Sequence, residues 1–262
     1  MSIQDIQQLL LAYTLLLPRI LSCFVVMPIL SRQMLGGGLV RNGVACSLAL
    51  FAFPIVAHTL PPAIAGYELA LLIGKEVLIG VLIGFIATVP FWAIEAAGFI
   101  IANQRGASMA STLNPMLGNQ TSPTGLLLTQ TLVTLFFSGG GFLMLLGALY
   151  QSYVTWPIAS FFPQIGSLWV EFFYGQFTQL LRLCLLFAAP VLIAMFLAEF
   201  GLALISRFAP SLNVFILAMP IKSLIASALL VVYLTPLMGH AFDSLLIALD
   251  PLRQLRPVLE SP

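Results

Sequence analysis

The stretch LALLIGKEVLIGVLIGFIATVPFWAIEAAGFIIA, residues 69–102, is apolar apart from Lys75, Glu76 and Glu95. At 1.5 Å per residue it makes about 50 Å of helix, against a bilayer hydrocarbon core of about 30 Å. Such a helix must bend, tilt strongly or break, and Pro90 is the expected place. Working outward, five more apolar runs of spanning length occupy residues 9–30, 39–60, 126–150, 183–206 and 212–238. The expected fold is an all-α membrane protein with about six long hydrophobic, proline-broken helical segments.

Pro18, Pro28, Pro54, Pro190, Pro220 and Pro236 also fall within or at the edges of these runs. In lipid, a carbonyl freed by proline needs an internal partner, so helices punctuated this way are expected to pack against protein or line a polar cavity. Gly80 and Gly84, then Gly98, Ala102 and Gly106, recur at four-residue spacing, which lets helix backbones approach closely. The competing explanation is that small residues are simply common in membrane helices.

Of the 262 residues, 60% are hydrophobic and 7% charged, and the mean hydropathy is +1.07. A soluble globular chain carries about 25% charged residues, so a water-facing surface is excluded and an integral membrane protein is indicated. Ten Lys and Arg against nine Asp and Glu leave a net charge of +1, with no basic run, so nucleic acid is not an expected partner. Cys23, Cys46 and Cys184 lie far apart in apolar stretches and read as small hydrophobes rather than a disulfide or zinc framework. The start, Met1-Ser-Ile-Gln-Asp5, has no positive n-region and no cleavage site follows, so the first apolar segment is expected to stay in the mature protein. On a six-span count, Arg32, Arg41, Arg105 and Arg207 face one side and Arg253 and Arg256 the other. The positive-inside rule then leans slightly toward both termini outside.

Charges at bilayer depth cost about 3 kcal/mol on insertion scales and are functional candidates by default. Here they are Arg19, Lys75, Glu76, Glu95, Glu199 and Lys222. Lys75 and Glu76 are sequence neighbours, so on a helix they are expected to point to different faces and find partners on other helices or chains. Arg19, Lys75 and Lys222 have a second reading, snorkelling toward a headgroup layer; Glu95 and Glu199 cannot reach as far.

Residues 103–124 read NQRGASMASTLNPMLGNQTSPT, rich in hydroxyls, amides, Gly and Pro, with Arg105 as the sole charge. A solvent loop would carry more charge, so non-helical backbone at or near a pore is the preferred reading, with a long surface loop as its rival. Met109, Leu113, Met116 and Leu117 would supply a deformable apolar seal, because thioethers adapt to irregular gaps and apolar constrictions gate by dewetting. A second polar island runs Arg207-Phe-Ala-Pro210-Ser-Leu-Asn213. Pro210 and Asn213 suit a turn, and Arg207 suits a helix C-terminus, where cations are favoured.

Catalysis is not expected. The only histidines are His58 and His240, and the only aspartates are Asp5, Asp243 and Asp250. Neither an HExxH pair nor an intramembrane aspartate pair is present, and Gly36–Gly38 and Gly139–Gly141 lack the Lys-Ser/Thr of a phosphate loop. Two classes remain from the residues alone: a proton-coupled small-solute transporter with a Glu95/Glu199/Lys222 relay, and a pore or assembly subunit. The only internal echo, Met27-Pro-Ile-Leu-Ser31 against Met219-Pro-Ile-Lys-Ser223, is too short to count as the repeat expected of transporters.

Several motifs resemble a known family. They are Gly80-Val-Leu-Ile-Gly84-Phe, Phe91-Trp-Ala-Ile-Glu95-Ala-Ala-Gly98, Gln104-Arg-Gly106-Ala-Ser-Met109-Ala, Asn114-Pro115, Gln120-Thr-Ser-Pro-Thr-Gly125, and Arg207 through Pro220-Ile-Lys222-Ser. This set is similar to the T subunit of the type III secretion export apparatus (SctT), the injectisome counterpart of flagellar FliR, and most of all to its Ysc-type branch.

The resemblance implies a noncatalytic subunit without cofactors, packed with P/R-type and Q/S-type subunits into a helical export-gate assembly. It implies the autocleaving switch subunit and the large export-gate subunit as further partners, along with membrane lipid and unfolded protein substrates. It places the chain in the bacterial inner membrane, multi-pass and partly projecting to the periplasmic side within the basal body. The chain is expected to form one domain, 1–262, with a broken-helix region 69–125, a plug-like loop 106–123 and a C-terminal tail 239–262. The family's plug falls on Gly106, Met109, Leu113, Asn114, Pro115, Met116, Leu117 and Gln120. Glu95, Gln104 and Arg105 are then expected to anchor the base of the plug, Glu199 and Lys222 to pair with partner-chain groups, and Arg207 and Asn213 to serve as anchors or inter-subunit polar contacts. Family members often carry aromatics in this loop, where this chain has Met and Leu.

Overall fold

The computed structural model describes residues 3–30, 37–56, 66–106, 122–159, 169–208 and 214–250, and over them the chain is all-α. The helices are α1 (Ile3–Val26), α2 (Gly38–Val56), α3 (Gly66–Gln104), α4 (Pro123–Ser138), α5 (Gly141–Thr155), α6 (Trp169–Phe208) and α7 (Val214–Ala248), with a 3-10 turn at Pro28–Leu30. Three of them, α3, α6 and α7, are long and apolar enough to cross a membrane, and α4 with α5 make a fourth span if counted as one broken helix. The apolar parts of α1 and α2 are shorter, Leu11–Val26 and Gly38–Pro54. Among the described residues, the six apolar runs therefore yield three spans, or up to four, by length and composition.

Proline does not break these helices. Pro18, Pro54, Pro90, Pro190, Pro220 and Pro236 all lie inside helical segments. Each removes a single backbone donor while the apolar residues on both sides keep packing. The break inside an apolar run falls instead at Gly139–Gly140, where Gly140 takes φ 79°, a left-handed conformation that L side chains avoid. Two helices also outrun their hydropathy limits. α6 begins at Trp169, well before the apolar run at 183, and α7 continues to Ala248, into the segment expected as a tail.

The chain divides into two compact units, and Pro90 marks the point in α3 where one gives way to the other. The first unit comprises residues 1–89, 139–176 and 245–262. Its core is built from Leu15, Leu16, Ile20, Cys23 and Phe24 of α1, an Ala45/Ala49/Ala52 stripe on α2, Ile79, Ile83 and Ile86 of α3, and Leu145 and Leu149 of α5. The alanine stripe presents little side-chain bulk, so α1 and α2 pack closely. Three tyrosine hydroxyls donate to carbonyls on neighbouring helices: Tyr13 to Cys46 O (2.7 Å), Tyr150 to Leu48 O (3.2 Å) and Tyr153 to Leu16 O (2.8 Å). Gly80 and Gly84 lie directly against α1. A Cβ on Gly80 would overlap the Arg19 carbonyl and Ser22 Oγ, and one on Gly84 would come within 2.9 Å of Cys23 O.

The second unit comprises residues 90–138 and 177–244. Its buried apolar set comprises Ile94, Ala97 and Ile101 of α3, Leu128 and Leu132 of α4, Val191 and Met195 of α6, and Ala226 of α7. Phe91 and Phe136 meet edge to face at 5.8 Å, the favoured aromatic geometry. Gly98 faces Gly125 so closely that a Cβ on Gly98 would overlap the Gly125 backbone. The long helices leave much apolar surface open. Of the most apolar window, 72% is buried within the chain for α3, but only 28% for α6 and 11% for α7.

Candidate functional site

Two polar centres stand out, one in each unit. In the first, Arg19 and Glu76 are fully enclosed and joined by a two-pronged ion pair, Nε to Oε2 at 2.6 Å and Nη2 to Oε1 at 3.0 Å. Arg19 Nη1 donates to Ser152 Oγ (2.9 Å), Nη2 also to Trp156 O (3.0 Å), and the guanidinium lies 4.2 Å from the Tyr153 ring centre. Lys75 Nζ sits 3.1 Å from Glu76 Oε1 and donates to Pro157 O (3.1 Å) and Ile158 O (2.8 Å). Two cations thus share one carboxylate. The remaining positive charge rests on carbonyls just beyond the C-terminus of α5, where the helix dipole is negative.

This corrects one sequence expectation and removes one alternative reading. Lys75 and Glu76 do meet, because the flexible lysine stem bends back to a carboxylate held in place by Arg19. Neither cation snorkels: Arg19 is 0% exposed and the Lys75 side chain 9%. The backbone carbonyls that complete the centre leave no mark in a sequence, which is why Arg19, Lys75 and Glu76 stood out only as costly charges.

The second centre is the foot of the 106–123 segment. α3 ends as Arg105 N–H donates to Ile101 O and Gly106 N–H to Asn103 O, with Gly106 at φ 103°. α4 begins with Ser122 as its cap and Pro123 at the first helical position, a favoured pairing. The Gly125 N–H donates to Ser122 Oγ (3.2 Å), whose hydroxyl donates in turn to Gly98 O (3.2 Å). Arg105 ties the two ends together, Nη2 donating to Thr124 Oγ1 (2.9 Å) and Nη1 to Ser227 Oγ on α7 (3.3 Å). Met219 of α7 lies over Gly106; its Cγ would be 3.5 Å from a Cβ there. The two motif blocks quoted from the sequence therefore meet at this foot.

Gln104 is the last residue of α3, and Arg207 is exposed in the last turn of α6. Glu199 and Lys222, whose partners the sequence placed on other chains, pair with each other at 3.1 Å, with side chains 47% and 12% exposed. Glu95 is exposed and borders an open recess of about 320 Å³ together with Trp92, Phe99, Ser122 and Leu126. Met109, Leu113, Asn114, Pro115, Met116, Leu117, Gln120 and Asn213 lie outside the described residues, as do Arg32, Arg253 and Arg256, on which the orientation argument turns. Among the described residues, no cluster of three or more His, Cys, Asp or Glu side chains is placed to hold a metal ion.

Fold and sites together define a helical membrane protein organised by buried ion pairs and glycine-mediated backbone contacts, with long apolar faces left uncovered. A match to the family described as bacterial export proteins, family 1, covers residues 10–247. The chain is 64% identical over 255 residues to the Yop proteins translocation protein T of Yersinia pestis, covering 97% of this chain and 98% of that one. It is 36% identical over 224 residues to the secretion system apparatus protein SsaT of Salmonella typhimurium, covering 85% and 86%. It is 26% identical over 246 residues to the flagellar biosynthetic protein FliR of Bacillus subtilis, covering 93% and 94%. The chain belongs to this family of bacterial export proteins.

Proposed function

We propose that the chain is a noncatalytic core subunit of a type III protein secretion export gate, forming part of the inner-membrane entry channel for unfolded secreted proteins. The family match along nearly the whole chain carries this reading. Its partners are the P/R-type and Q/S-type gate subunits in one helical assembly, with the switch subunit and the large export-gate subunit beside it. The open apolar faces of α6 and α7 support a chain that packs against other chains.

Within the gate, the 106–123 segment is the plug. Gly106, Met109, Leu113, Asn114, Pro115, Met116, Leu117 and Gln120 close the channel to ions at rest and move aside for substrate. Gln104 and Arg105 anchor its base, and Glu95, Glu199, Arg207, Asn213 and Lys222 serve as anchors or polar contacts to partner chains. The support is mechanical: a segment that moves needs fixed ends, and the Arg105–Thr124 and Ser122–Gly98 bonds hold both of its ends. Shortening 107–121 to a brief Gly-Ser linker should leave the assembled gate intact while raising its ion conductance in planar bilayers. An unchanged conductance in an intact complex would overturn the plug assignment.

A further inference from the structure

We infer that the recess at Glu95 is a docking socket for a cationic side chain, Lys or Arg, supplied by a partner subunit of the gate. The inference rests on the export-gate reading and names the chemistry of one of its contacts. Between Glu76 and Arg105, Glu95 is the only charged residue in α3, so its carboxylate interrupts an apolar helix surface where a lone charge is costly. Among the described residues it has no ion pair or side-chain hydrogen bond, and its neighbours Phe99 and Leu126 are 40% and 48% exposed.

Among the described residues, no cation of the chain pairs with Glu95: Arg105 is engaged with Thr124 and Ser227, and Lys222 with Glu199. Residues 107–121 contain no Lys or Arg, so the adjoining segment cannot provide a cation either. The nearby N-terminus of α4 favours a negative charge, but the Gly125 N–H there is already used by Ser122.

The lining of the recess fits the same occupant. Trp92 and Phe99 line it together with Glu95, which suits a lysine stem or a guanidinium plane that packs on aromatic surface while its head reaches an anion. The volume, about 320 Å³, accepts one such side chain. An anionic lipid headgroup would be repelled by Glu95. Charge complementarity therefore favours a protein cation.

The test uses the gate complex co-expressed with its P/R-type and Q/S-type subunits and purified in mild detergent. A photo-crosslinking p-benzoylphenylalanine at Leu126 should give an adduct on a partner chain, mapped by mass spectrometry to within a few residues of a Lys or Arg. Glu95→Lys should lower incorporation of the chain into the complex about tenfold, Glu95→Asp should retain most of it, and reversing the mapped cation to Glu should restore Glu95→Lys. The inference is overturned if Glu95→Lys incorporates normally, if the reversal restores nothing, or if adducts form only with lipid or within the chain. Those results leave the gate reading standing, whereas failure of the wild-type chain to join the complex removes both.

Discussion

Arg19 on α1 and Glu76 on α3 are fully enclosed and share two hydrogen bonds, 2.6 and 3.0 Å long. Removing one partner would leave a buried, uncompensated charge, which costs about 3–5 kcal/mol. Glu76→Gln and Arg19→Met are each expected to lower the thermal midpoint of the detergent-solubilised gate complex and the steady-state level of the chain. Arg19→Lys should not rescue, because an ammonium cannot reproduce the two-pronged contact or reach Ser152 and Trp156 together. Wild-type stability in Arg19→Lys would show that charge alone, without the fork, suffices.

The Gly98–Gly125 contact makes a steric prediction. An alanine at Gly98 has to displace backbone rather than a side-chain tip, so Gly98→Ala should destabilise by roughly 1–3 kcal/mol or more. Gly147, exposed in α5 with nothing within 4 Å of an added Cβ, provides the opposite case. Gly147→Ala should stabilise the helix by up to about 1 kcal/mol. Thermal unfolding of the two variants in parallel checks both signs.

Lys222 and Glu199 form a partly exposed pair, and such pairs are worth only about 0–1 kcal/mol. Single neutralisations are expected to change stability little, and the exchange Glu199→Lys with Lys222→Glu should preserve the pair. A double-mutant cycle on thermal midpoints measures the coupling, and a value well above about 1 kcal/mol would mean that partner chains bury this pair in the assembly.

Much of this arrangement was legible in the residues because hydropathy and spacing report burial. Each of the six apolar runs proved helical over most of its described residues, and the four-residue spacing of Gly80 and Gly84 marked the face that α1 covers. Other features leave a weaker signal or none. The break at Gly139–Gly140 carries a signal in Ser138 and the Gly139–Gly141 run, a turn-favouring cluster that the length of the surrounding apolar run outweighed. The early start of α6 was hidden by Glu171, Gln176, Gln179 and Arg182, polar residues that a helix tolerates but a hydropathy limit excludes. Proline was overweighted as a breaker, since one lost donor does not end a well-packed apolar helix. For the foot of 106–123, the sequence pointed to the right residues but not to the Arg105 bonds that join its two ends, which depend on α4 and α7 returning to the end of α3.

On the export-gate reading, this chain works only as one part of a mixed membrane assembly. The most direct measurement is native mass spectrometry in mild detergent of the chain expressed alone and together with the P/R-type and Q/S-type subunits. Poor recovery alone is expected and, on co-expression, one defined complex containing this chain with both partners. A well-behaved monomer or homodimer that ignores those subunits would contradict it.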